Sequence, residues 1–420
     1  MRWRRAGYVA GAIVLAGVIV FAAIAWQPAI SPVKSPDIAI TPALVSKGRT
    51  VVALGDCAVC HSPEGHPAFS GGLGLRTPFG VIYTTNITPD VETGIGAWSL
   101  DAFTRAMRRG VSRDGHLLYP AFPYIHYTKV TDDDLRAAYA YLMTQPAVHA
   151  PAPRNDLPLP LRFRPALAVW NLLYLRPGAA PALDASPRER GRYLVEGLGH
   201  CSSCHTALGI IGGESGRYLG GGDVDGWHAP ALDVLAHAPR PWTAEQLSAY
   251  LTTGLASEHG ASAGPMRPVT DNLGNVPPED VHAIATYLMT IQASQPPTAP
   301  KAGAVADVSR LARGHALFDG VCATCHGDGG TMETQLGRPP LTASSALQGP
   351  TPRNAIMTVL QGIPWPSHPK PTAYMPAFAD NLTDDQIADL VVYLRSTTSQ
   401  PPWPDVRDEV RRARKDLSHD

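Results

Sequence analysis

The sequence predicts a mainly α-helical chain of three tandem domains with few strands, preceded by one N-terminal transmembrane helix. Three observations lead there. Cys-x-x-Cys-His occurs three times, as Cys57-Ala-Val-Cys60-His61, Cys201-Ser-Ser-Cys204-His205 and Cys322-Ala-Thr-Cys325-His326. Each copy lies between a glycine-bearing segment and an amphipathic helix, so one structural unit is repeated. An uncharged run from Ala6 to Trp26 follows a basic N-terminus.

That run comes first in the chain. It matches the roughly 20 apolar residues that span a bilayer, and Arg2, Arg4 and Arg5 hold its leading end in the cytoplasm. Ala23-Ile24-Ala25 offers a signal-peptide cleavage site instead, but signal cores are usually about 7–15 residues, shorter than this one. Residues 1–34 therefore read as an uncleaved anchor and linker in the inner (cytoplasmic) membrane, and the rest of the chain as periplasmic.

Three domains follow, at 35–150, 187–295 and 307–400. Their opening segments carry Gly48, Gly191 and Gly314. Their closing helices start at Asp132, Pro278 and Asp384 behind acidic residues. Apolar positions there recur at i, i+3, i+4 and i+7: Leu135, Ala138, Tyr139, Leu142; Val281, Ile284, Ala285, Leu288; Ile387, Leu390, Val391, Leu394. Each closing helix also holds a tyrosine at the same register, Tyr141, Tyr287 or Tyr393. Pro146 to Pro165 and Pro296 to Pro300 read as extended linkers, and the linker segments are set at 151–186 and 296–306. The tail, 401–420, combines Val406, Val410, Ala413 and Leu417 with many charges. It reads as a solvated charged helix or a weak amphipathic one.

The motif fixes the chemistry. Positions i, i+3 and i+4 share one helix face, so two thiols can form thioethers to a porphyrin edge while the next imidazole meets the iron. Cys-x-x-Cys-His is the attachment signature of c-type haem. The three copies use all six cysteines, leaving none for a disulfide or a nucleophile. Three covalent haem c groups are expected, on Cys57 and Cys60, Cys201 and Cys204, and Cys322 and Cys325, with His61, His205 and His326 as proximal iron ligands. A redox dithiol or a zinc site needs no trailing histidine each time.

The sixth ligand decides whether a haem only transfers electrons, and methionine is common in cytochromes c. Aligned on the closing tyrosines, the repeats offer Met266 in Gly264-Pro265-Met266 and Met375 in Tyr374-Met375-Pro376. The first repeat has Phe122, which has no lone pair. His126 is the first candidate to replace it; a five-coordinate or water-ligated iron, and ligation by His116 or Met107, are the alternatives. His66, His228 and His259 read as surface histidines.

The repeated unit resembles the small helical cytochrome c domain, in which an N-terminal helix glycine crosses a C-terminal helix aromatic. That resemblance sets Gly48 against Tyr141, Gly191 against Tyr287 and Gly314 against Tyr393. From about Leu44 to Ser399 the chain resembles the tri-haem cytochrome c subunits of membrane-bound bacterial dehydrogenases, which oxidise alcohols, gluconate or aldehydes. The resemblance lies in Thr77-Pro78-Phe79-Gly80 through Asn86-Ile87-Thr88-Pro89-Asp90, in Thr93-Gly94-Ile95-Gly96 and in Tyr119-Pro120-Ala121. Phe122-Pro123-Tyr124 with His126, and Gly226-Trp227-His228-Ala229-Pro230, look more like cytochromes that accompany molybdenum hydroxylases. The implied partners are a dehydrogenase catalytic subunit, with molybdopterin and [2Fe–2S] subunits favoured over a pyrroloquinoline quinone or flavin enzyme, and ubiquinone or a terminal oxidase as acceptor. The chain itself should be an electron-transfer subunit without a substrate site. The competing class is a haem enzyme whose open first haem binds peroxide or another small ligand. A net charge of −1 gives no nucleic-acid signal.

Overall fold

The computed structural model describes residues 2–178, 186–294, 302–304, 308–334, 339–363 and 374–417; side chains of residues 2–7, 10, 333 and 334 are also outside the description. The expected linker at Pro296–Pro300 falls outside the described residues. Two compact units emerge. One comprises Met1–Asp184 with Tyr193–His200 and Gly209–Glu214; the other comprises Ala185–Arg192, Cys201–Leu208 and Ser215–Asp420.

In the first unit a helix runs over Arg2–Ala25. No helix among the described residues is long and apolar enough to cross a membrane; the run from Ala6 to Trp26 falls partly on side chains outside that description. The opening helix Pro42–Leu54 is started by Thr41, whose hydroxyl accepts from Leu44 N, and by Pro42. It crosses the closing helix Asp132–Leu142, capped by Thr131 with three acidic residues in its first turn. The crossing needs glycine: a Cβ on Gly48 would lie 2.6 Å from Tyr141 Cβ and overlap the Ala137 carbonyl. Leu135, Ala138, Tyr139 and Leu142 are buried, as their spacing predicts. Strands Gly74–Thr77 and Gly80–Tyr83 form a hairpin with Leu75 opposite Ile82.

The second unit repeats the crossing twice. A Cβ on Gly191 would meet Tyr287 Cβ at 2.7 Å, and one on Gly314 would meet Tyr393 Cβ at 2.7 Å. The closing helices are Pro278–Thr290 and Asp384–Ser396, the latter opened by a reciprocal Thr383–Gln386 capping box. The two opening helices run into π-helical turns, Leu194–Leu198 (within the first unit) and Phe318–Cys322, before the cysteines.

Ion pairs that the local pattern does not reveal tie these crossings. Lys47 reaches Asp134 at 2.8 Å, Arg190 reaches Asp280 at 2.7 Å, and Arg310 and Arg313 both reach Asp389 at 2.7 Å. All three aspartates are buried, so each needs its cationic partner.

Two expectations need correction. The proline-rich linker is not extended throughout: Asp156 bridges Val81, and helices follow over Leu159–Arg162 and Leu167–Tyr174. Here prolines occupy first helical turns, where a missing N–H costs nothing. Nor is the tail a solvated helix. Val406–Leu417 buries Val406, Val410 and Ala413 in a core with Ile356, Leu390 and Trp403, and Arg414 pairs with Asp384 at 2.7 Å.

Candidate haem sites

Each motif forms one short helical turn: Cys57–His61, Ser202–His205 and Ala323–His326. Residues Asp56 and His200, just before the first cysteine of the first two motifs, have φ of 54° and 36°. Left-handed backbone suits Asp and His better than most residues, and it ends the preceding helix so that the motif starts a new turn.

The first two histidines are held alike. His61 Nδ1 donates to the Thr85 carbonyl at 2.6 Å, and His205 Nδ1 donates to the Pro230 carbonyl at 2.7 Å. A carbonyl can only accept, so Nδ1 carries the proton and Nε2 keeps a lone pair. That bond is the outer-shell partner that orients a metal-ligating imidazole. Burial pushes His61, His205 and His326 below the ordinary histidine range, which keeps the imidazoles neutral.

All six cysteines are free of disulfides. Burial, with Asp56 adding to it, pushes the Cys57 thiol up to about 12, and burial also raises Cys322. Such thiols resist becoming the thiolates that zinc requires. Among the described residues no cluster of three His, Cys, Asp or Glu could hold a metal ion directly. Imidazoles held through Nδ1 at His61 and His205, each beside a pair of thiols, fit haem c. Cys57, Cys60 and His61, Cys201, Cys204 and His205, and Cys322, Cys325 and His326 would hold it, and bound there it supplies one-electron transfer.

Met266 opens the helix Met266–Leu273. Met375 exchanges two 2.8 Å backbone hydrogen bonds with Ile363; its side chain packs against the core around Ile356 and Leu390. Phe122 joins an aromatic group, 5.5 Å from Tyr127 and 6.2 Å from Tyr124 between ring centroids.

His126, the first candidate for the sixth ligand of the first haem, meets two protein acceptors. It is buried, with Nε2 2.6 Å from Glu214 Oε1 and Nδ1 3.3 Å from the Glu196 carbonyl. Both nitrogens face protein acceptors, so coordination of iron would require Nε2 to leave Glu214. The alternatives sit apart from it: His116 Nδ1 pairs with Asp114 at 2.6 Å, and Met107 is buried in the helix Leu100–Arg109. His66 is exposed and His228 pairs with Asp223 at 3.0 Å. His259, expected at the surface, is buried and stacked on Trp242 at 3.6 Å.

Comparison with known proteins agrees with this chemistry. The cytochrome c family model matches residues 189–292 and 311–398. The gluconate 2-dehydrogenase cytochrome c subunit of Pantoea cypripedii is 38% identical over 84% of this chain and 86% of its own length. The chain belongs to the dehydrogenase cytochrome c subunits. Another member of this group, the fructose dehydrogenase cytochrome subunit of Gluconobacter japonicus, is 33% identical over 84% of the chain and 79% of its own. A nicotinate dehydrogenase subunit of Pseudomonas putida is 42% identical over 97% of the chain, which spans 35% of that protein's length. For this cytochrome c subunit the relatives support electron transfer within a dehydrogenase complex.

Proposed function

We propose that this cytochrome c subunit carries three haems in three domains, is tethered to the periplasmic face of the inner membrane by its N-terminal helix, and passes electrons from a partner dehydrogenase to ubiquinone or a terminal oxidase. The observation that carries the reading is the paired orientation of His61 and His205. Each is fixed through Nδ1 by a backbone carbonyl and leaves Nε2 for iron. The third motif repeats the same residues on the same kind of turn. Met266 and Met375 would complete the second and third irons. Thioether ligation raises haem potential, so a first haem beside Phe122 would be the lowest of the three and receive electrons first.

The favoured partner is a molybdenum hydroxylase acting on aldehydes or N-heteroaromatics. Phe122 in the methionine slot supports this, as does 42% identity to a nicotinate dehydrogenase subunit. A low-potential entry haem would suit electrons from [2Fe–2S] clusters, near about −400 mV for the plant type. The second reading is a pyrroloquinoline quinone or flavin partner, favoured by the identity to gluconate, fructose and alcohol dehydrogenase cytochrome subunits. Purifying the complex through this chain and assaying it for metal and cofactor decides between them. Stoichiometric molybdenum is expected; stoichiometric flavin or pyrroloquinoline quinone instead would overturn the favoured partner.

A further inference from the structure

We propose that Leu159–Tyr174, in the segment between the first two haem motifs, is a second membrane contact that lies in the outer, periplasmic leaflet of the bilayer beside the N-terminal helix. The inference rests on the anchor reading for its geometry and extends it to a surface that the anchor alone does not require.

Its side chains are the wrong kind for water. Leu159, Leu161, Phe163, Val169, Leu172 and Leu173 are between 39% (Leu161) and 79% (Leu159) exposed. Isolated exposed apolar residues are ordinary, whereas a contiguous group marks an interaction surface. In the helix Leu167–Tyr174, Asn171 faces inward, where its Oδ1 accepts from Tyr124 Oη at 2.7 Å. Trp170 likewise spends its indole N–H on the Ile211 carbonyl at 3.0 Å. Asn171 and Trp170 thus spend their polar groups within the protein, and the apolar side chains are left outside.

Continuity argues for lipid as the occupant. Phe21 on the N-terminal helix stacks on Phe163 with ring centroids 6.5 Å apart. Ile24, Ala25 and Leu167 pack around a small core of Val111, Leu117 and Ala168. The exposed apolar surface of Ile13, Val14, Val18 and Ile19 thus runs on into Leu159–Tyr174 at the end of the helix remote from its arginines. Arg162 within the segment and Arg176 just past it are exposed; each donates to a backbone carbonyl, of Leu157 and of Leu172, and its remaining N–H groups can meet a lipid phosphate. An apolar face flanked by cations is the pattern of an interfacial element, which binds by buried apolar area plus attraction to anionic lipid.

The test uses the full haem-loaded chain in nanodiscs of phosphatidylethanolamine and phosphatidylglycerol doped with a diazirine-bearing phospholipid, with adducts mapped by mass spectrometry. Adducts on residues 8–25 and on 159–174 are expected. Adducts on 8–25 alone would leave the anchor standing and overturn the second contact. Adducts on 159–174 alone would support the second contact and overturn the anchor, and adducts on neither would overturn both. The doubly substituted Leu172→Asp, Leu173→Asp chain controls for nonspecific labelling. Both leucines are already exposed, so its haem spectrum should be unchanged while labelling of 159–174 falls about fivefold or more; unchanged labelling would overturn the proposal. If the same peptides cross-link to a dehydrogenase subunit and not to lipid when the intact complex is used, the surface is a protein interface and the lipid assignment fails.

Discussion

His126 Nε2 lies 2.6 Å from the carboxylate of Glu214, 88 residues further along the chain. The pair is buried, with 7% of the His126 side chain and 17% of the Glu214 side chain exposed, and removing the imidazole deprives a buried carboxylate of a hydrogen bond. His126→Ala should therefore lower stability by about 2 kcal/mol while the first haem keeps its absorption spectrum and midpoint potential. A lost low-spin signal or a shifted midpoint in redox titration would instead return His126 to the iron.

Gly191 sits where the second opening helix passes its closing helix, and a Cβ there would overlap the Ala283 carbonyl and approach Tyr287 Cβ to 2.7 Å. The obstructing atoms are backbone and Cβ, which cannot rotate away. Gly191→Ala should cost roughly 2–3 kcal/mol as an overpacked contact, seen as a lower thermal midpoint and poorer haem loading. Gly320→Ala, where no atom lies within 4 Å, should leave both unchanged.

His200 gives the first unit a pH dependence. Burial, helped by nearby His126, drives its pKa down to about 4 from an ordinary 6.5. The unfolded chain therefore binds a proton that the folded chain refuses in that interval. The stability present above about pH 6.5 is lost as the pH falls through about 4, on the order of 2–3 kcal/mol. Thermal midpoints measured from pH 7.5 to pH 4.5 should fall less steeply in His200→Asn, which does not titrate and tolerates the left-handed backbone at this position. Parallel curves for both proteins would refute the linkage.

The legible parts were those encoded locally and repeated. The resemblance to the cytochrome c domain set Gly48, Gly191 and Gly314 against Tyr141, Tyr287 and Tyr393, and the crossings place them there; helical period gave only the buried face of each closing helix. The helical turn at each Cys-x-x-Cys-His motif needed only the spacing. By contrast, the partners of His126 lie 70 and 88 residues away, and no periodicity marks Glu214. The tail misled for a related reason: its charges outnumber Val406, Val410 and Ala413, yet those three side chains fall on one buried face. In the linker, proline density suggested extended chain, although Pro160 and Pro165 sit in first helical turns. No local pattern announces that Asp134, Asp280 and Asp389 are buried, because their lysine or arginine partners come from another helix.

Met266 and Met375 supply the last prediction, because the two methionines stand in different surroundings. Met266 opens a helix behind Pro265, whereas the backbone of Met375 is fixed on both sides by Ile363. If each gives its thioether to an iron, Met266→Ala and Met375→Ala should each open one haem, so that the reduced protein binds one additional equivalent of carbon monoxide. Met266→His and Met375→His should close that site again at a lower midpoint, since imidazole lacks the thioether's potential-raising effect. The shift should appear in one haem per variant. A variant that gains no carbon monoxide site and keeps all its midpoints would show that its methionine is a packing residue, and the sixth ligand of that haem would have to come from elsewhere in the chain.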